Sequence, residues 1–255
     1  MGFRGTLMEG TCRVQIYSQE EYELLQQVVL EGLDKQFTDL SLVIDNQFLV
    51  GSHSEGFLTV INAEECSVVD TIPSPFGEVE NTWGVEVLGL RPEGEPQVIF
   101  IPTTNGLYQC SVTPQGQLIY LMESYYEGFN VTNSVLLNED EMLVSLERYE
   151  EDEDGQDSSW YKLVILDLDT RGEKIVIAPE AAVNILDICK IPCFGGEDEN
   201  PYFIMHTGKG LQLVNPSKLR SYDLAMNAQT NFNVCRSIAV IQIDPDDDDQ
   251  GFWLG

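Results

Sequence analysis

One stretch recurs along the chain, and it limits the fold more than any other feature. Residues 56–72, GFLTVINAEECSVVDTI, read as two short apolar strands joined by a small polar turn. Laid over residues 12–28, CRVQIYSQEEYELLQQV, the pattern sets Leu58 on Val14, Val60 on Ile16, Ile61 on Tyr17 and Asn62 on Ser18. It also sets Glu64 and Glu65 on Glu20 and Glu21. Further copies read NGLYQCSVTPQGQLIYL, YKLVILDLDTRGEKIVI and KGLQLVNPSKLRSYDL. With Val14, Leu58, Tyr108, Leu163 and Leu211 taken as equivalent, the copies recur at intervals of 44, 50, 55 and 48 residues. A period of this size marks a repeat architecture, in which each unit buries its apolar face against its neighbours.

A second strand pair lies between successive hairpins: TDLSLVI with QFLVGSH, VEVLGL with QVIFIPT, SVLL with MLVSLERY, NILDICKI with YFIMHT, and SIAVIQI with GFWLG. Each repeat therefore holds four strands. Period-2 alternation, β-branched and aromatic enrichment, and Gly, Pro, Asn or Asp at the junctions support strands throughout. Residues 19–32 dissent, because Tyr22, Leu25 and Val29 fall at helical spacing among good helix formers. Their register with residues 63–76 predicts a strand nonetheless, since tertiary context overrides propensity.

Four-stranded units without intervening helices resemble β-propeller blades, and the ends of the hairpins narrow the resemblance to the WD40-like family. In that family the third strand of a blade ends in a Trp-Asp pair. The matching positions here read Tyr17-Ser18, Ile61-Asn62, Leu166-Asp167 and Val214-Asn215, an apolar residue followed by a small polar one. The chain is a degenerate example: Trp and the Gly-His signature are absent, and the second full repeat reads Ser111-Val112. The fold expected is all-β, a propeller of four-stranded antiparallel blades with five blades detectable, forming a single domain over residues 1–255. Two readings of the ends stand. In the favoured one both termini complete the last blade, with residues 251–255 meeting residues 10–17, which removes free sheet edges. In the other the chain is part of a larger propeller. What the resemblance implies is a scaffold for protein contacts.

Thirteen Lys and Arg against 43 Asp and Glu give a formal net charge of −30. Such a chain repels phosphate backbones and anionic membrane surfaces, which argues against direct nucleic-acid or membrane binding. No apolar run reaches the roughly 20 residues that span a bilayer, and the first residues lack the apolar core of a signal peptide. The expectation is an intracellular protein, cytoplasmic or nuclear. Six scattered cysteines make no disulfide framework, and Cys189 with Cys193 lacks the second ligand pair of a zinc site.

In a propeller the turns between strands one and two, and between three and four, emerge on one face. That rule collects Glu20, Glu21, Glu64, Glu65, Glu93, Glu95, Glu139, Asp140, Glu141, Glu197, Asp198, Glu199, Asp244 and the run Asp246, Asp247, Asp248 and Asp249, opposed by Arg91, Arg171 and Lys218. The opposite face carries the acidic loop EEDEDGQD, residues 150–157. Acidic loops also serve simply as solvated, solubilising surface. The functional expectation is an electrostatic platform that steers a basic protein or peptide partner. Exposed aromatics between blades, Trp83 above all, form a further candidate for partner binding.

No nucleophile elbow, P-loop, HExxH or dinucleotide fingerprint is present, and no cofactor is expected. His53 and His206 each stand five residues before the hairpin positions Leu58 and Leu211, an equivalence that predicts a structural hydrogen bond at a turn. DPDDDDQG opens like a calcium loop but lacks the closing Glu, and residues 150–161 place Tyr161 where that Glu belongs. The alternative to a non-catalytic scaffold is a propeller hydrolase or lactonase with a metal on the central axis, drawing on Asp39, Asn133 and Asn184 at the starts of inner strands.

Overall fold

Apolar–polar alternation becomes antiparallel ladders through the described residues. The computed structural model describes residues 2–8, 11–17, 23–30, 37–54, 56–65, 67–72, 81–89, 93–151, 157–177, 185–190, 203–207, 210–223, 240–242 and 252–254. The first sheet is β1 (Gly2–Met8), β2 (Thr11–Tyr17) and β3 (Leu24–Leu30) in sequential order. Four-stranded sheets follow. One is β4 (Phe37–Val43), β5 (Phe48–His53), β6 (Leu58–Asn62) and β7 (Ser67–Ile72); the next is β8 (Glu86–Val87), β9 (Gln97–Thr103), β10 (Gly106–Val112) and β11 (Leu118–Tyr125). Then come β12 (Asn130–Leu136), β13 (Glu141–Glu151), β14 (Asp157–Asp167) and β15 (Glu173–Ile177), followed by β16 (Ile185–Lys190), β17 (Phe203–Thr207), β18 (Gly210–Asn215) and β19 (Arg220–Asp223). The pair β20 (Val240–Gln242) and β21 (Phe252–Leu254) completes the order. Among the described residues the one helical element is a 3-10 turn at Pro216–Lys218. No helix among them is long and apolar enough to cross a membrane.

The chain divides into two compact units, residues 1–131 and 132–255. In the first, every residue of β5 is buried, whereas Ser67, Val68 and Val69 of β7 are exposed. The gradient follows from stacking: the middle strands β5 and β6 are covered on both faces, β4 is partly covered, and β7 is the most open. Val50, Leu58 and Val60 pack with Ile99, Ile101, Tyr108, Cys110 and Val112 on one face of the sheet. Leu49 and Ile61 pack with Val14 and Phe37 on the other. Each such buried side chain contributes about 1.5–3 kcal/mol. The second unit repeats the scheme, with Leu163, Ile165 and Val176 against Ile188, Phe203, Met205 and Val214.

Several sequence expectations meet a structural answer here. Residues 24–30 are a strand despite their helical spacing, pairing Val28 with Val14 and Leu30 with Cys12. The strand pairs expected between hairpins are all present. The expected meeting of residues 10–17 with 251–255 is not what β2 shows. Its two edges are taken by β3 and by β1, which pairs with it from Gly2↔Tyr17 to Met8↔Thr11. β1, GFRGTLM, has weak alternation, and its pairing with β2 rather than its own pattern identifies it as a strand.

Register also corrects one equivalence. Leu58 pairs with Ser52, Leu107 with Pro102 and Leu211 with His206. Leu107, not Tyr108, is therefore the partner of Leu58, and the residue at the place of Asn62 is Ser111, preceded by Cys110. The second full repeat thus keeps an apolar residue followed by a small polar one. The same register separates the two histidines. His206 stands in the place of Ser52, and the counterparts of His53 are Thr103 and Thr207, because the turn after His53 is one residue longer. All three are buried polar residues at the end of the second strand.

Candidate functional site

The acidic turns are built from asparagine. Asn62 closes β6, and its side-chain Oδ1 accepts the backbone N–H groups of Glu64 at 2.9 Å and Glu65 at 2.8 Å. Asn138 does the same for Asp140 at 2.8 Å and Glu141 at 2.9 Å. Such Asx turns satisfy two backbone donors locally and leave the following carboxylates pointing to solvent. Glu64, Glu65, Glu139 and Asp140 are exposed. Asp167 and Asn215, at the place of Asn62 in two other sheets, cap their turns through Thr170 N–H and Lys218 N–H. The small polar residue that ends the third strand is thus a turn cap at Asn62, Asp167 and Asn215, and in the second full repeat Thr113 takes over by accepting from Gln115 and Gln117.

In two of the sheets the one–two and three–four turns lie side by side. Ala63 N–H donates to Gln47 O at 2.9 Å, and Leu168 N–H donates to Asp140 O at 2.8 Å. The turn before Gln47 holds Ile44, Asp45 and Asn46 at φ of 51°, 53° and 66°. Two consecutive positive φ values at Asp45 and Asn46 suit the tight hairpin turn whose twist matches its strands. Burial of Ile44 in the apolar cluster holds a β-branched residue in that region. Exposed Asp45 joins Glu64 and Glu65 at this end of the sheet.

Glu141 differs from its neighbours. It is half-buried, and its Oε1 accepts Lys174 Nζ at 2.8 Å, a base that sequence reasoning did not weigh. Lys162 is likewise paired, with Glu173. The net negative charge of this turn is therefore carried by Glu139 and Asp140. Glu197, Asp198, Glu199, Asp246, Asp247, Asp248 and Asp249 lie outside the described residues. So do residues 152–156 of the second acidic loop, whose flanks pair as far as Glu151↔Asp157. Tyr161 stands opposite Glu147 in that ribbon, and burial together with the Glu147 carboxylate pushes its phenol up to about 12.

The candidates for axial chemistry are committed to the fold. Asp39 Oδ2 accepts Val85 N–H at 3.0 Å and its Oδ1 accepts Leu40 N–H at 2.8 Å. Burial raises the Asp39 carboxyl above its ordinary value, and those two N–H bonds only partly oppose the rise. Asn133 Nδ2 donates to Asp187 Oδ1 at 3.2 Å, and Asp187 was not foreseen. Asn184 lies outside the described residues. Among the described residues no group of three or more His, Cys, Asp or Glu is arranged to hold a metal. His53 is buried, its Nε2 3.0 Å from Thr59 Oγ1 and its ring 4.1 Å from that of Phe37. Its carbonyl accepts Thr82 Oγ1–H at 2.7 Å.

Trp83 is 41% exposed, and its Nε1–H donates to Asn130 Oδ1 at 2.8 Å. Asn130, the first residue of β12, is still within the first unit. This partner is 47 residues away in sequence, and no local pattern announced it.

Solved structures with the same arrangement of blades are WD40 repeats. U3-55K aligns over 84% of this chain and 60% of its own, with a TM-score of 0.55 and 11% identity. The RRP9 WD40 repeats align over 84% and 59%, with a TM-score of 0.55 and 11% identity. The likeness is one of fold: this is an all-β chain of four-stranded antiparallel blades of the WD40-like propeller type. It spans about 60% of the length of U3-55K and 59% of that of the RRP9 repeats. No protein-family model matches the chain, and no curated protein matches it by sequence.

Proposed function

We propose that the chain is a non-catalytic protein-interaction scaffold, a single WD40-like domain whose acidic turns bind a basic protein or peptide. One observation carries this reading. Asn62 and Asn138 build the same turn in two different sheets, and each presents exposed acids at the end where a one–two and a three–four turn meet. An electrostatic surface of this kind raises association rates and selects partners by sign, and salt weakens it. The fold supports the scaffold half of the reading, since WD40-like blades supply rigid turns on a repeated frame. Burial of His53 and the engagement of Asp39 and Asn133 in bonds within the fold favour it over the metal hydrolase.

The test is cross-linking mass spectrometry at low and high salt, comparing wild type with a Glu64→Lys, Glu65→Lys, Glu139→Lys, Asp140→Lys variant. Basic partners that cross-link at low salt, fade at high salt and vanish in the variant support the reading. Partners that survive both changes sink it.

A further inference from the structure

The exposed indole of Trp83 is anchored through its N–H, and the sequence around it is short of positive charge. Trp83 N–H donates to Pro102 O at 2.8 Å, next to an antiparallel bridge between Thr82 and Thr103, and the indole N–H is fixed by Asn130. The turn that leads into Asn130 is as tightly set. Tyr126 has φ of 57°, Phe129 N–H donates to Tyr126 O at 3.0 Å, and Gly128 N–H donates to Asn105 Oδ1 at 3.2 Å. Beneath it Gly106, at φ of 132°, leaves no room for a side chain, since a Cβ there would lie 2.9 Å from Tyr125 O. A rigid aromatic with its only donor already satisfied loses little entropy on being covered, which is why Trp so often anchors an interface.

Charge selects what would cover it. Residues 36–131 hold thirteen acids and a single base, Arg91. Glu127 is exposed in the turn that leads into Asn130, and its field reaches Tyr108, whose phenol is raised first by burial and then by Glu127. The indole face carries negative quadrupole density and attracts a cation, a guanidinium best because it stacks flat and is weakly hydrated.

We infer that Trp83, fixed by Asn130 at the end of the turn that carries Glu127, docks an arginine side chain from a basic segment of a protein partner, the guanidinium lying on the indole with its charge directed to Glu127. The inference rests on the basic-partner reading and names a place for it apart from the acidic turns.

The probe is a fluorescein-labelled nonapeptide of alternating Arg and Gly, followed by anisotropy against the full chain at low salt, beside its citrulline counterpart. Trp83→Ala is expected to weaken binding roughly three- to tenfold, Trp83→Phe less, and Glu127→Gln about threefold. The citrulline peptide is expected to bind at least tenfold more weakly. Equal binding of Arg and citrulline peptides, or unchanged binding by a folded Trp83→Ala, overturns the site. Should Trp83→Ala fail to fold, Glu127→Lys decides, since loss of binding supports the site and no change overturns it. Glu64→Lys with Glu65→Lys separates the two readings. Loss there with Trp83→Ala unchanged overturns this site alone, and the reverse result keeps it and overturns the acidic turns. No binding by the wild type overturns both.

Discussion

The carboxylate of Asp39 accepts the backbone N–H of Val85 at 3.0 Å, tying the first strand of one blade to the stretch that opens the next. Burial makes this tie costly in its ionised form. The carboxyl is raised above 3.8, with burial the largest cause and the Val85 and Leu40 N–H groups pulling the other way. Between 3.8 and the raised folded value the folded chain holds a proton that the unfolded chain has released, so stability falls as pH rises through that window. Asp39→Asn keeps an acceptor and removes the charge. It is expected to match or exceed wild-type stability at pH 7 in urea denaturation and to lose the pH dependence contributed by this group. Asp39→Ala leaves Val85 N–H without its partner and is expected to cost about 1–3 kcal/mol. A pH profile unchanged in Asp39→Asn would show that the buried charge is not what shapes it.

Gly116 and Phe48 define how two blades of the first unit meet. Gly116 has φ of 79°, and a Cβ there would stand 2.6 Å from Phe48 Cε1. Gly116→Ala therefore combines a left-handed alanine with a displaced ring, an expected loss of about 2–4 kcal/mol. Gly94→Ala is the matched control, because Gly94 has φ of 83° with nothing within 4 Å. It should lose only the conformational part, about 1 kcal/mol. Adding Phe48→Leu to Gly116→Ala tests the contact directly: the double variant is expected to lose less than the sum of the two single changes. Simple additivity would mean that ring and turn do not touch in solution.

What sequence could and could not show divides along the range of the interactions. Alternation and turn residues are local, so strands, hairpins and the four-stranded unit are legible, and the repeat that matches Leu58 with Leu211 holds at the register level. A one-residue slip at Tyr108 was not detectable, since Leu107 and Tyr108 are both large and both buried. The equal five-residue spacing of His53 and His206 concealed a turn of different length, and pairing alone revealed it. The Asx turns were readable in Asn62-Ala63-Glu64-Glu65 and Asn138-Glu139-Asp140-Glu141 yet were passed over in favour of their charge. Bonds such as Thr38 with Thr82, 44 residues apart, leave no trace in local pattern.

Cys110 gives a chemical probe of the first core. It is buried among Val60, Ile99 and Ile101, and burial pushes its thiol up to about 12. At pH 8 the thiolate fraction is then roughly 10⁻⁴, and the residue is only 2% exposed. Iodoacetamide labelling at pH 8, followed by peptide mapping, is expected to leave Cys110 unmodified in the native protein and to modify it fully in urea. Labelling of Cys110 at the rate of an exposed thiol in folded protein would contradict this placement. Because the opening that exposes Cys110 must separate two packed sheets, its labelling rate in intermediate urea should track global unfolding.

Asn62 and Asn138 connect the fold to the proposed activity, and their removal separates geometry from charge. Each side chain satisfies two backbone N–H groups in an exposed turn. Replacing either with alanine is expected to cost about 1 kcal/mol, because water recovers part of what is lost. Neither substitution alters the net charge. If binding of a basic segment depends on acids held in fixed positions, Asn62→Ala with Asn138→Ala should weaken it two- to fivefold with the salt dependence kept, since the charges remain while their order is lost. Glu64→Gln with Glu65→Gln should instead reduce the salt dependence itself. Unchanged binding by the asparagine double variant, beside reduced salt dependence in the glutamate double variant, would mean that total charge matters and the turns do not. Asp140 sharpens the comparison, because its carbonyl also accepts Leu168 N–H. That bond joins the two turns at one end of the sheet, so loosening Asn138 is expected to loosen the turn after β14 as well, read as faster amide exchange at Leu168 and Thr170.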